Sequence, residues 1–221
     1  MLGSSFSIAG PNIVLNTIVA DALAQFADRL ETASDFDSAL DSLLKETIRA
    51  HKRIVFNGNN YAPEWVDEAA RRGLLNLKTT ADALPYFTTD SNIELFTKHS
   101  IFSEMEIRSR CEILLDNYCK VLTIESLTML DMVKKDIMPA VFQYTKMLAD
   151  TVATKKSIGI DVSKDAGCLL VEQLTLLSNS LYEKTEALDQ ALLAAHDCKN
   201  TREEANYFRD TILCAMQELR A

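Results

Sequence analysis

Apolar residues recur at intervals of three and four along most of the chain, a spacing that predicts helices. Pro11 and Asn12 open the first. Val14, Leu15, Ile18, Val19, Ala22, Leu23, Phe26 and Leu30 follow at helical spacing. Asp35 sits where an N-cap belongs, ahead of Phe36, Leu40, Leu43, Leu44 and Ile48. The pattern then weakens. Ile54-Val55-Phe56 reads as a short extended run closed by Asn57-Gly58-Asn59-Asn60, a turn signal because Asn and Gly tolerate positive φ. Pro63 suits the first turn of a helix carrying Trp65, Val66 and Ala69, with Gly73 as its C-cap. Leu74 to Phe87 reads as a connector, and Ser91 starts a short helix through Ile93, Leu95 and Phe96.

From Ser103 the helical pattern lengthens. Ser103-x-x-Glu106 is a capping-box pattern. Ile107, Cys111, Leu114, Tyr118 and Leu122 follow, then Leu127, Leu130, Val133 and Ile137. Pro139 has no N–H and should kink or restart this helix. Val141, Phe142, Tyr144, Thr145, Leu148 and Val152 continue beyond it, and Ser157 to Val162 reads as a loop containing Gly159. Residues 163–197 form a third long helix, with a seam of Leu170, Leu174, Leu177, Leu181, Leu188, Leu192 and Ala195. The heptad through 174, 181, 188 and 195 fits antiparallel bundle packing. Thr201-x-x-Glu204 is a second capping-box pattern, opening a last helix with Tyr207, Phe208, Ile212, Leu213, Met216 and Leu219. The expected fold is all-α: a bundle of long antiparallel helices over 103–221, preceded by shorter helices and a loop-rich section.

Composition narrows this further. The 221 residues include only 6 Gly and 4 Pro, against averages of about 7% and about 5%. Sandwiches, barrels and doubly wound folds need more turns than this. No glycine cluster exists for a nucleotide loop, and no Gly-x-Ser-x-Gly elbow or Gly-Lys-Ser/Thr motif occurs. The net charge of -9 is spread along the chain, which argues against a nucleic-acid partner. The one basic cluster, Lys45, Arg49, His51, Lys52 and Arg53, reads as cations at a helix C-terminus. No apolar run approaches the about 18–20 residues of a membrane span. The five cysteines form no CxxC and suit reduced thiols in the cytosol. Cys111, Cys168 and Cys214 have apolar neighbours and read as small core residues.

Catalytic chemistry is not visible. A di-iron bundle needs Glu-x-x-His, but His51, His99 and His196 have Ile48, Phe96 and Leu193 three places upstream. His196 and Cys198 read as polar residues at a helix end. The charged residues Glu183, Lys184, Glu186 and Asp189 read as a solvated face, and Asp131 with Lys135 as an i,i+4 pair. Gly3-Ser4-Ser5 is small enough for a backbone approach to an anion, a weak signal alone.

Three segments carry a resemblance. MLGSSFSIAGPNIVLNTIVA, HKRIVFNGNNYAPEWVDEAARRGLLNLKTTADALPYF and IELFTKHSIFSEMEIRSRCEILLDNYCKVLTIESLTMLDM closely resemble the C-terminal part of type III glutamine synthetase. That resemblance implies a parent that joins ammonia to glutamate through a γ-glutamyl phosphate, using ATP and a divalent metal such as Mg, as a double-ringed dodecamer. It implies three segments here. Residues 1–33 are the tail end of the catalytic domain, with Gly3, Ser4 and Ser5 at the edge of the parent's active site. Residues 34–102 are a connector with short helices, and 103–221 the helical extension. It also implies that the metal carboxylates and nucleotide site are not on this chain, so no catalytic, cofactor-binding or metal residue can be assigned. The expected partners are the missing catalytic domain and neighbouring subunits. On that reading Val14, Leu15, Ile18 and Val19 are over-exposed or re-docked without that domain. The alternative is a stand-alone helical interaction module.

Overall fold

A computed structural model describes residues 7–221, and among them every regular element is a helix. The chain divides into two compact units, residues 1–111 and 112–221.

In the first unit, α1 (Ala9–Glu31) packs against α2 (Phe36–His51) and α5 (Asp90–Lys98), and α3 (Pro63–Arg71) and α4 (Thr80–Phe87) lie between them in sequence. The caps explain most of the boundaries. Asp35 accepts from the Ser38 amide at 3.3 Å at the start of α2. Pro63 opens α3, and Gly73 beyond its end has φ +71°, the left-handed conformation glycine adopts freely. The basic cluster falls at the end of α2 and the following 3₁₀ turn, Lys52–Ile54.

Three expectations fail in this unit, the first being the extended run at Ile54, which closes the 3₁₀ turn instead. The stretch read as a connector contains α4, begun by Thr79, whose hydroxyl accepts from the Asp82 amide at 3.2 Å and donates to its carboxylate at 2.6 Å. Pro85 sits inside α4 without breaking it. Its missing N–H forfeits one bond, to the Ala81 carbonyl, and the helix ends two residues later, so little of the ladder is disturbed. The Asn-Gly turn exists, but Gly58 does not use positive φ. What excludes a side chain there is space: a Cβ would run into the Phe56 ring. That ring stacks on Trp65 with centroids 4.3 Å apart, and the Arg72 guanidinium lies over both. The core of the unit includes Leu43, Ala81, Phe96, Ile107 and Cys111.

In the second unit, α6 (Glu104–Met132), which begins in the first, runs into a π-helical turn at Val133–Ile137 and then α7 (Met138–Ser157). The π turn is the interruption that Pro139 demands. The Met138 amide bonds Val133, five residues back, which makes room for the ring that an α-helix would press against the carbonyl four residues behind. Ser103 and Glu106 form the expected capping box, with Ser103 N–H to Glu106 at 2.8 Å and Glu106 N–H to Ser103 Oγ at 3.3 Å. After the loop with Gly159 at φ +85°, α8 (Ala166–Ala194) starts at the Asp165 cap, later than residue 163, and ends in a 3₁₀ turn holding His196. The last helix is α9 (Thr201–Tyr207), a π turn at Phe208–Ile212, and α10 (Leu213–Arg220). Its cap lies one residue before the expected one. Asn200, in extended geometry, accepts from the Glu203 amide at 2.9 Å, and Glu203 reaches back to the Lys199 amide. Asn is at least as good an N-cap as Thr.

The buried stripes differ from the expected ones by a step. On α6 and the turn after it, Leu115, Cys119, Leu122, Ser126, Leu130 and Val133 are buried, while Leu114, Leu127 and Ile137 are exposed. On α8 the inward side is Val171, Leu174, Ser178, Leu181, Thr185, Leu188, Leu192 and Ala195, three or four residues apart. Ser178 and Thr185 are buried within this seam, and Leu170 and Leu177 face outward. Both hydroxyls donate to the carbonyl four residues back, at 2.6 Å, so they enter the core without an unmet hydrogen bond. Their small volume suits the close packing of α8 on its neighbours. Cys214 is exposed, whereas Cys119 is buried, and burial pushes the Cys119 thiol up to about 12. It is a packing residue, with no thiolate at neutral pH.

Candidate functional site

Gly3, Ser4 and Ser5 lie outside the described residues. The element nearest to them in sequence is α1. Between Ser7 and Ala20 this helix carries no charged residue. Its apolar positions form two arcs on opposite sides. The inner arc includes Thr17, the buried residue of α1, and Asp21. The outer arc holds Ile8, Leu15, Ile18, Val19 and Leu23, each between 48% and 61% exposed. At 100° per residue these five span about 140° of the helix. A helix apolar on both sides is normally buried on both. The inner side is covered by the neighbouring helices of its own unit, and the outer side is bare at these five positions, with Ala22, Phe26 and Leu30 of the same arc half-buried. Of the four residues expected to be uncovered, Leu15, Ile18 and Val19 are exposed and Val14 is half-buried.

Charge fixes α1 in position. Asp21 accepts from Lys98 Nζ at 2.8 Å and lies 2.8 Å from His99 Nε2, both at the end of α5. Arg29 donates two hydrogen bonds to Glu46 of α2, at 2.6 and 2.9 Å. The bonds from Lys98, then His99, hold the Asp21 carboxyl down at about 2. A group depressed in the folded state stabilises above its unfolded pKa. The Asp21 contribution is therefore full above about pH 4 and is lost as pH falls towards 2. In acid titration followed by circular dichroism, Asp21→Asn should lower stability at neutral pH and flatten its fall over that window. An unchanged acid limb would remove Asp21 as the clamp.

Among the described residues no three His, Cys, Asp or Glu side chains converge. The most acidic carboxylates are committed to neighbours: Glu68, held at about 2, is bonded to Arg71 and Arg72. Arg72 in turn donates to the carbonyls of Arg53 and Val55 at 3.1 and 2.8 Å. That cluster of Phe56, Trp65, Arg72 and Glu68 braces the Asn57–Asn60 turn. Among the described residues, no helix is long and apolar enough to cross a membrane.

A family model described as glutamine synthetase C-terminal domain matches residues 39–156, more than half of the chain, from within α2 to the end of α7. The chain belongs to the glutamine synthetase C-terminal domain family. It is 42% identical over 192 residues to a glutamine synthetase of Butyrivibrio fibrisolvens, covering 86% of this chain and 27% of that protein. It is 38% identical over 154 residues to a type-3 glutamine synthetase of Dictyostelium discoideum, covering 68% of this chain and 21% of that protein. A glutamine synthetase of Bacteroides fragilis (strain YCH46) is 27% identical over 226 residues, 99% of this chain and 31% of that protein. The resemblance to the C-terminal part of type III glutamine synthetase is thus upheld. The chain spans between a fifth and a third of the length of these relatives. The glutamine synthetase C-terminal region seen here is helical throughout its regular structure, as the sequence pattern required. The FNGNNY segment of the resemblance is the turn braced by Arg72, and LNLKTT leads into the Thr79 cap of α4. The bare arc of α1 is signalled in the sequence by the lack of charge between Ser7 and Ala20.

Proposed function

We propose that this chain serves as the helical scaffold of a type III glutamine synthetase, an enzyme that ligates ammonia to glutamate using ATP and a divalent metal such as Mg. On this reading the catalytic groups and both cofactors belong to the catalytic domain of the parent, and this chain supplies packing and subunit contacts. Its partners are that catalytic domain and neighbouring subunits, in the cytoplasm. The observation that carries the proposal is the bare outer arc of α1. Four large apolar side chains on one helix, with a fifth at its N-cap, are a surface built to be covered. Their position next to the segment that resembles the edge of an active site makes the catalytic domain the fitting cover.

The test is an assay of pure chain for glutamine formation with ATP, Mg, glutamate and ammonia. No rate above the background without protein is expected, and a measurable ATP-dependent rate would overturn the scaffold reading. A dye that fluoresces on apolar surface should bind the chain, and Ile18→Glu with Leu23→Glu should cut that signal without moving the melting point. A melting point lowered by the pair would mean that the arc is packed within the chain.

A further inference from the structure

The turn between α2 and α3 carries a reactive pair that the packing leaves open. Asn57 is followed by Gly58, and no other asparagine of the chain precedes a glycine. An asparagine side-chain amide is open to attack by the next residue's main-chain nitrogen, which closes a five-membered imide. A following glycine leaves that nitrogen unshielded and the backbone free to turn towards it. The fold protects most other asparagines. Asn12, Asn16, Asn92, Asn117, Asn179 and Asn206 lie in helices, where the next amide is fixed in the main-chain ladder. Asn59 and Asn200 commit their side chains to the Tyr61 and Glu203 amides, at 3.0 and 2.9 Å. Asn57 and Gly58 are both exposed, and neither the Asn57 side chain nor the Gly58 amide takes part in a hydrogen bond among the described residues. The chain on either side is pinned. Arg72 donates to the carbonyls of Arg53 and Val55, and the Ala62 amide bonds the Asn59 carbonyl at 3.1 Å. A side chain at 58 that would shield the amide is excluded while Phe56 stacks on Trp65, since its Cβ would run into the Phe56 ring. The packing that requires glycine is therefore what keeps Asn57 open to attack.

We propose that Asn57 is a site of spontaneous modification, converting to aspartate and isoaspartate through a cyclic imide with Gly58. The Gly58 nitrogen bonds to Asn57 Cγ, the Cγ–Nδ2 bond breaks, and ammonia leaves with the Gly58 amide proton. Water then opens the imide in one of two ways. Addition at Cγ breaks the bond from Cγ to nitrogen and gives an aspartate in the ordinary chain. Addition at the main-chain carbonyl carbon breaks its bond to nitrogen and gives isoaspartate, in which the chain runs on through Cγ. One water is consumed and one ammonia released, with no oxidant or cofactor. Either product adds a negative charge to the turn. Isoaspartate also lengthens the main chain by one carbon between the anchors at Val55 and Asn59, so the turn no longer meets both as it does here. The modification thus loosens the segment that Arg72 braces. It needs only the turn, and stands apart from the scaffold reading.

Peptide mapping of the full chain, fresh and after incubation at mildly alkaline pH, tests it. The tryptic peptide of residues 54–71 should gain the mass difference between an amide and an acid. Fragmentation should place that gain at residue 57, several-fold faster than at any other asparagine. The rate should rise with pH, because the attacking nitrogen must give up its proton. A methyltransferase specific for isoaspartate should label the same peptide. In the labelled fraction, hydrogen exchange at the Tyr61 and Ala62 amides should quicken. Asn57→Gln, whose longer side chain closes the larger imide ring far less readily, should lose the mass gain and the label while keeping the wild-type far-UV spectrum. If residue 57 gains no mass in the folded chain but does so in urea at the same pH, the inference is overturned, and the folded turn holds Asn57 away from the Gly58 nitrogen. A gain spread evenly over the asparagines, or one that persists in the 54–71 peptide of Asn57→Gln, overturns it as well.

Discussion

Leu188→Asp should abolish the cooperative unfolding transition of the second unit. Leu188 is 0% exposed, on the stretch of α8 that packs against the Phe208–Ile212 turn and α10. Ile212 and Phe208 are just as deeply buried. Cutting back a core leucine costs about 2–5 kcal/mol by lost transfer and packing. The introduced carboxylate adds the cost of burying a charge without a partner. Domains of this size hold only about 5–15 kcal/mol in total. The expected measurement is a broad, non-cooperative melt by circular dichroism with fast hydrogen exchange across α8 to α10. Leu177→Asp, at a residue 58% exposed, should melt with the wild type when the chain is monomeric. The half-buried Leu174 and Leu181, which the sequence marks as seam residues, should fall between the two. Equal effects at 177 and 188 would refute this placement of the seam.

Phe96→Ala should be the most damaging truncation in the first unit. Phe96 is 1% exposed and meets Phe87 edge-on at 5.7 Å and Phe102 at 5.5 Å. The Arg110 guanidinium lies 4.4 Å above the Phe102 ring. Removing the middle ring opens a cavity bordered by stiff aromatic neighbours that cannot easily close it. The expected loss is about 3–5 kcal/mol. It would be read as a lower urea midpoint for exchange of the α4 and α5 amides. Phe36→Ala, at an exposed ring on α2, should move the midpoint by roughly a tenth of that or less.

The long helices are legible because periodicity and caps agree: Asp35, Pro63, Gly73 and the Ser103–Glu106 box all sit where the sequence sets them. The errors share a cause. Hydrophobicity cannot tell which of two adjacent leucines faces in, so Leu176 and Leu177 are ambiguous, and it counts Ser126, Ser178 and Thr185 as surface. A buried hydroxyl that bonds its own helix, or a nearby methionine sulfur as Ser126 does at 3.1 Å, behaves as a small core residue. Helix α4 escapes the pattern because Pro85 outweighs the Thr79-x-x-Asp82 signal, although a proline near the end of so short a helix forfeits a single bond. The site is legible in part. The exposed arc of α1 follows from sequence, whereas the outward turn of Leu170, Leu176 and Leu177 depends on which side of α8 its neighbours occupy.

The stacked pair of Phe56 and Trp65 has a practical consequence. Trp65 is the chain's sole tryptophan, and it lies in the first unit beneath Arg72. Intrinsic fluorescence therefore reports on one unit, while the long helices dominate far-UV ellipticity. The first signal thus follows one half and the second follows both, since α1 to α5 belong to the first unit. A fluorescence transition coincident with the ellipticity transition would show that the halves unfold as one, and a displaced one that each stands by itself.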